Sequence, residues 1–562
     1  MAAFGSVRHQ GCRGRALGVG SRKSCIALAL LCSLALSCAC TKVSTTSRLS
    51  SGKTSTIHGV VRYAISNDLN TLNPVLGGLA YENAIEEAIF SGLVKLDDHA
   101  RIVPDLAVTV PSDENGGISR DGRTITYHLR RGVRWQDGKP VTSADVAFTF
   151  ARIEDPKVNA PSSAPYAHVA RLFTPDPYTV VVRLKAPWAP AIGQLFCDGE
   201  NGSIIPQHAF AAGGDFNTDP FGLHPIGSGP MELQTWERGS KLVLVPNSTY
   251  FGGAPKIKQL IIEIVPDANT RLTLLTSKEL DVAPIGTPDQ LSRLRQLPGY
   301  TVVLVQYTQG VYLVFNVSRP LLSDRIVREA LVMALDRPRI IETAFAGTAV
   351  IGDSFIPPYS WAYIADNGSP PYDVARARAE LAQVGWMAGP DGVLTRKGQR
   401  LEFTVSLASG STVAASIAEQ MQAQWRSIGA DVAIQPLPLN VLRSPDGMWP
   451  TGRFDVALQS FIFDPDPDRE ANLGSQFIGA RGFNAGRYAS ALSDALTAQA
   501  VAVYPHVLRA PLYARLQRLW NHDLPVVPLA WPQAIYAVND DLRGFRPEPI
   551  NSDFWNIQDW EI

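Results

Sequence analysis

From His58 onward, short runs in which apolar and polar residues alternate give way repeatedly to stretches whose apolar residues recur every three or four positions. Strands are expected at Val60-Val61-Arg62-Tyr63-Ala64-Ile65, at Ile125-Thr126-Tyr127-His128-Leu129, at Asp431-Val432-Ala433-Ile434 and at Val526-Val527-Pro528-Leu529. Helices are expected over residues 81–93 and after Thr142, where Asp145 stands three positions on as in a capping box and Val146, Phe150 and Ile153 share a face. Val327, Ala330, Leu331, Ala334 and Leu335 keep helical spacing in a helix opened by Ser323-Asp324 and expected to end near Pro338. Further stripes are Val374, Ala377, Leu381 and Val384, then Ile417, Met421, Trp425 and Ile428, then Leu512, Leu516, Leu519 and Trp520. Strands alternating with amphipathic helices read as a mixed α/β architecture, and the stripes as core.

At 562 residues the chain exceeds what one hydrophobic core supports, so at least two domains are expected. With 45% hydrophobic and 18% charged residues, the body reads as globular. No repeat of 20–50 residues points to a solenoid or propeller.

The beginning of the chain is different. Arg8, Arg13, Arg15, Arg22 and Lys23 stand without acidic neighbours ahead of an apolar run from Cys25 to Ala39, the pattern of a secretory signal peptide over residues 1–39. That run is shorter than the roughly 20 residues a spanning helix needs. Five of the six cysteines lie in this leader and at its end, and only Cys197 lies in the body, so no disulfide framework is expected in the mature fold. The segment Leu34-Ala35-Leu36-Ser37-Cys38-Ala39-Cys40 resembles a bacterial lipoprotein box, making Cys38 and Cys40 the two candidates for lipidation. An acyl anchor would then hold the body at a membrane surface through a flexible Ser/Thr-rich tether over residues 40–55. Loss of the five basic residues moves the net charge from −1 to about −6. With no basic stripe interleaved with aromatics, a nucleic-acid partner is not expected.

Catalytic signatures are sparse. Gly227-Ser228-Gly229 is not a nucleophile elbow, and Ser51-Gly52-Lys53-Thr54 lacks the first glycine of a phosphate loop. The nine histidines are scattered singly, so neither a zinc site nor a cofactor is expected. Asn521-His522-Asp523 reads as a solvated helix end. Asp464-Pro465-Asp466-Pro467-Asp468 concentrates three carboxylates without EF-hand spacing, and such acidity suits an amine better than calcium.

From about Val60 to Gly544, landmark motifs occur in a family-like order. They include Thr71-Leu72-Asn73-Pro74, Ile89-Phe90-Ser91-Gly92-Leu93, Val103-Pro104-Asp105-Leu106-Ala107, and Leu129-Arg130-Arg131-Gly132-Val133-Arg134-Trp135-Gln136-Asp137-Gly138-Lys139-Pro140. Ile226-Gly227-Ser228-Gly229-Pro230 and Phe315-Asn316-Val317 follow. In these motifs the chain resembles the oligopeptide/dipeptide-binding solute-binding proteins, family 5, of ABC importers. The resemblance implies a two-lobed periplasmic-binding-protein type II fold with an enlarged, discontinuous first lobe. Lobe I would comprise residues 56–312 and 528–562, and lobe II residues 313–527, with crossings at 312–316 and 526–529. It also implies a monomer outside the cytoplasm, in the periplasm or on the outer face of the membrane, that encloses a solute and delivers it to an ABC permease.

Peptide-binding members hold the ligand's amino terminus with an aspartate that follows a tryptophan. In one register Phe461 replaces the tryptophan and Asp464 is the amine ligand; in another Ser460 replaces it and Phe463 takes the aspartate's place. Phe461, Phe463, Asp464 and Asp466 are therefore the candidate ligand-binding residues. The arginine with which some dipeptide binders grip the ligand carboxylate is matched here by Ala415 and Ser416. The same fold also hosts binders of metal chelates, haem and sugars, and an extracytoplasmic hydrolase or a purely structural lipoprotein are readings of other classes.

Overall fold

The computed structural model describes residues 56–562 except 162, 199–201, 211–213, 286–289, 465, 480–481 and 551. The expected signal peptide, the cysteines Cys38 and Cys40, and the tether lie outside the described residues.

Twelve strands form one continuous ladder through both lobes. In chain order these are β1 (Val60–Ile65), β2 (Met231–Glu237), β3 (Lys241–Pro246), β4 (Gln259–Ile264), β5 (Val282–Pro284), β6 (Tyr300–Gln306), β7 (Gln309–Phe315), β8 (Ala349–Ile351), β9 (Glu402–Ala408), β10 (Asp431–Leu437), β11 (Val456–Ile462) and β12 (Val526–Asn539). Their spatial order is β10-β9-β11-β7-β12-β5-β1-β4-β3-β2, with β6 and β8 also pairing β12. β1 lies parallel to β4 and β5, whereas β12 runs antiparallel to β5, β6, β7 and β8.

β12 joins the lobes. Its first half, through Pro532, pairs β7 and β8, and its second half, from Gln533, pairs β5 and β6. β6 and β7 make the other crossing, through residues 307–308. The residues expected as crossings, 312–316 and 526–529, lie to one side of these changes of partner, in and directly after β7 and in the first half of β12. The cores divide the same way: Val61, Tyr63, Trp135, Val146, Leu260 and Tyr536 belong to one, and Leu313, Val327, Leu331, Met421, Trp425 and Leu529 to another. A second cluster of the latter lobe gathers Tyr312, Phe355, Phe463, Trp520 and Trp531 beside the crossing strands.

Most expected helices form. Ser143–Ile153 begins after Thr142, whose backbone N–H donates to the Asp145 carboxylate at 2.9 Å. Thr412–Ser427 is capped by Ser411, and its apolar stripe is fixed when Trp425 Nε1 donates to the Leu331 carbonyl at 2.8 Å. Two differ from expectation. The helix expected over 81–93 is Ala80–Ile89: the chain must leave it by Gly92, where a Cβ would lie 2.6 Å from the Asp198 nitrogen and 2.7 Å from the Phe196 oxygen. The helix expected to end near Pro338 is Arg325–Met333; Pro338 instead stands in the first turn of a second helix, Arg337–Phe345, where its missing N–H costs nothing.

Candidate ligand site between the lobes

The site begins with the register of β11 on β7. Tyr312 stands opposite Gln459 and Gly310 opposite Phe461, so Gln459, Phe461 and Phe463 follow the alternation of one face. Phe461 stacks on Tyr312 with ring centroids 5.8 Å apart, and Phe463 lies 5.9 Å from the same ring. Phe463, 5% exposed, is enclosed further by Phe355 and Trp531 at 5.1 and 5.8 Å. Gly310 is required here, because a Cβ would stand 2.8 Å from the Trp531 ring. Within this wall the Tyr312 hydroxyl and Trp531 Nε1 are buried donors with no hydrogen-bond partner among the described residues.

Beyond the end of β11 the three carboxylates part company. Asp464 is exposed, and Gln194, in the short helix Ala191–Gln194 of the first lobe, donates through Nε2 to Asp464 Oδ2 at 2.8 Å. Asp466 is engaged bidentately by Arg509, with both contacts at 2.7 Å. Burial works against the Arg509 charge, but the Asp466 carboxylate outweighs it and raises the pKa. Asp468 accepts from the Glu470 backbone N–H at 2.9 Å; burial, reinforced by Asp466, pushes its carboxyl up to about 7.

Arg469 organises the segment from beneath. Its guanidinium lies 4.3 Å from the Phe463 ring and donates to the carbonyls of Asp466 and Asp468 at 2.9 and 2.7 Å. Burial lowers its pKa, and the carboxylates of Asp464, Asp468 and Asp466 oppose that shift. Thus of the two residues competing for the amine position, Phe463 is enclosed by aromatic rings, and Asp464 presents its carboxylate where the lobes meet.

The lobes touch at a second place. Ala189 N–H donates to the Val501 carbonyl at 2.7 Å, and the Tyr504 hydroxyl donates to the Gly122 carbonyl at 3.0 Å. Val501 thereby packs into the core of the first lobe.

Several residues near the end of β11 carry no local signal in the sequence. A cavity of about 250 Å³ beside Phe461 is lined by Arg443, Trp449, Gln459, Phe461 and Phe483, among others. Arg443 ends the short helix Leu439–Arg443 and meets Phe483 only through the fold, as Gln194 meets Asp464. Among the described residues, no group of three or more His, Cys, Asp or Glu side chains is arranged to hold a metal ion. Nor is any helix among them long and apolar enough to cross a membrane.

This architecture and sequence have known counterparts. The chain is 26% identical over 487 residues to the oligopeptide-binding protein AppA of Bacillus subtilis, covering 85% of this chain and 86% of that one. It is 27% identical over 470 residues to the dipeptide-binding protein of Escherichia coli, covering 80% and 84%. In structure it matches AppA of Bacillus subtilis in complex with a nonapeptide, with a TM-score of 0.71, 24% identity and coverage of 89% and 98%. NikZ of Campylobacter jejuni in complex with Ni(L-His) matches with a TM-score of 0.74, 23% identity and coverage of 90% and 100%. The mixed α/β, two-lobed fold with a discontinuous first lobe is thus the type II periplasmic-binding-protein fold. Residues 101–482 match the bacterial extracellular solute-binding proteins, family 5 Middle, and the chain belongs to that family.

Proposed function

We propose that this protein is the extracytoplasmic binding component of an ABC importer, that it captures short oligopeptides between its lobes and passes them to a membrane permease, and that it catalyses no reaction. The observation that carries this reading is the Asp464 carboxylate, held out at the end of β11 and met by Gln194 from the opposite lobe at 2.8 Å. An ammonium seated there would engage both lobes only when they are together. Its differential affinity would therefore draw the open and closed forms toward the closed one. A carboxylate is the group that offsets the cost of drying an ammonium, which otherwise amounts to several kcal/mol.

In this reading Phe461 and Phe463 supply the apolar wall beneath the peptide's first residues, and Asp466 acts through Arg509 to fix the loop that carries Asp464. The protein would act as a monomer, anchored to the outer face of the membrane through Cys38 or Cys40, an anchoring that the leader pattern supports.

Native mass spectrometry of the undenatured protein tests the ligand class: co-purifying peptides of mixed sequence are expected, and a metal chelate or oligosaccharide without peptide would overturn the reading. Asp464→Asn should weaken binding of free-amine peptides about 10- to 100-fold, the range for a charge-assisted hydrogen bond. N-acetylated peptides should bind the unaltered protein as weakly.

A further inference from the structure

Among the described residues Arg443 is a cation without an anion. Its guanidinium lies 4.3 Å from the Phe461 ring and 5.7 Å from that of Trp449, and Nη2 donates to the Ser460 carbonyl at 2.9 Å. Among the described residues no carboxylate pairs with it. Four of its five N–H donors remain to be used in a fork that matches a carboxylate. Partial burial pulls its pKa down from the ordinary guanidinium value, with Tyr312 acting the other way, yet a guanidinium remains charged at any physiological pH.

The cavity beside it is of a particular kind. Trp449, Phe461 and Phe483 give it three aromatic walls, with Pro445 and Pro450 between them, and Phe483 leaves 59% of its surface uncovered. At about 250 Å³ it is smaller than the roughly 300–1,000 Å³ of a pocket that encloses a whole small ligand. It has room for one large side chain of a longer molecule.

Resting on the peptide reading above, we infer that this cavity is the subsite for the ligand's carboxyl-terminal residue, with an aromatic or large aliphatic side chain among Trp449, Phe461 and Phe483 and the terminal carboxylate on Arg443. The positions at the start of the helix Thr412–Ser427, Ala415 and Ser416, offer no charge for that task.

The spacing then sets a length. Arg443 is tied to the Ser460 carbonyl, and Asp464 lies four residues further along the chain, so the backbones of Ser460 and Asp464 are at most about 13 Å apart at roughly 3.3 Å per residue. An extended peptide covers that span with three or four residues. The preferred ligands are therefore short peptides, of up to about four residues between the two charges, with a free amino terminus, a free carboxylate and an apolar last residue.

The test uses pooled X-X-Phe tripeptides, offered as free acids and as carboxyl-terminal amides, titrated against the purified protein by native mass spectrometry. The free acids should bind about 10- to 100-fold more tightly than the amides. Arg443→Met should bring the acids down to the level of the amides and leave the amides unchanged, while Arg443→Lys should retain an intermediate preference for the acid. Circular dichroism melts of both variants show that the lobe is intact. Equal affinity for acids and amides, or an equal loss of both in Arg443→Met, overturns the Arg443 assignment and leaves the peptide reading standing. Binding of neither form by the unaltered protein overturns the peptide reading, and this subsite with it.

Discussion

Arg509 is the residue on which the acidic segment depends for its shape. Its side chain is 2% exposed and that of Asp466 14%, and the two are joined by parallel contacts of 2.7 Å. Arg509 also donates to the Ala500 carbonyl at 2.9 Å and to the Tyr513 hydroxyl at 3.0 Å, so its donors are spent on three separate segments. Arg509→Met keeps the length and apolar stem but strands the Asp466 carboxylate in a poorly hydrated place. Breaking a buried pair from one side in this way costs about 3–5 kcal/mol. Urea unfolding followed by tryptophan fluorescence reads the loss directly, and Trp361, whose ring lies 5.3 Å from the Arg509 guanidinium, is a local reporter. The double variant Asp466→Asn/Arg509→Met should recover part of that loss, because it removes the stranded charge as well. A loss below about 1 kcal/mol in Arg509→Met, or additivity of the two substitutions within about 0.5 kcal/mol, would refute the pairing as the source of stability. Since the Asp468 backbone N–H donates to Asp466 Oδ1 at 3.0 Å, peptide affinity should fall together with stability.

Two further outcomes follow from other parts of the molecule. Gly227→Ala should cost about 3 kcal/mol, at the upper end of overpacking effects, because the new Cβ would lie 1.8 Å from the Ile89 carbonyl oxygen; thermal melting checks this, and an unchanged Tm would refute it. The carboxyls of Asp468 and Asp553 are both raised by burial, to about 7 and about 6, and Asp553 stays hydrogen-bonded to the hydroxyls of Tyr63 and Tyr536. As pH rises from about 4 the unfolded carboxyls ionise first, so their contribution to stability is full below that pH and lost as pH climbs through 6 to 7. The difference in unfolding free energy between the unaltered protein and Asp468→Asn/Asp553→Asn should decline over that window. A rising difference would refute the sign.

What could be read along the chain is what is decided locally. The Thr142–Asp145 cap and the stripe of Ile417, Met421, Trp425 and Ile428 lie within a few residues of their signals. The motif segments also acquire a physical sense. Gln136 accepts from the Gly227 N–H and donates to the Met231 carbonyl, both at 2.8 Å, so Trp135-Gln136-Asp137-Gly138 clamps Ile226-Gly227-Ser228-Gly229-Pro230 against the end of Ala80–Ile89. Partners far apart in sequence stayed hidden. Nothing around residue 194 marks Gln194 as the donor to Asp464, 270 positions later, and nothing in Leu439–Arg443 marks its last residue as an uncompensated cation.

The acidic segment shows why composition alone could not assign its roles. Asp464, Asp466 and Asp468 are alternate residues, and in a straight strand they would share a face and repel one another. β11 ends at Ile462, and from there each carboxylate finds a different environment: the opposite lobe, a buried guanidinium, or backbone amides in a place dry enough to favour the proton. Arg469, buried under all three, needs that concentration of negative charge because its own hydrogen bonds run to the carbonyls of Phe355, Asp466 and Asp468. Asp466 thus balances Arg509 in the lobe's interior and, with the backbone hydrogen bond accepted by Asp468, stiffens the loop. That stiffness holds Asp464 at the junction of the lobes, where its carboxylate lies in the field of Arg469 and accepts a hydrogen bond from Gln194 of the opposite lobe, so the position of the carboxylate and the approach of the lobes are set together.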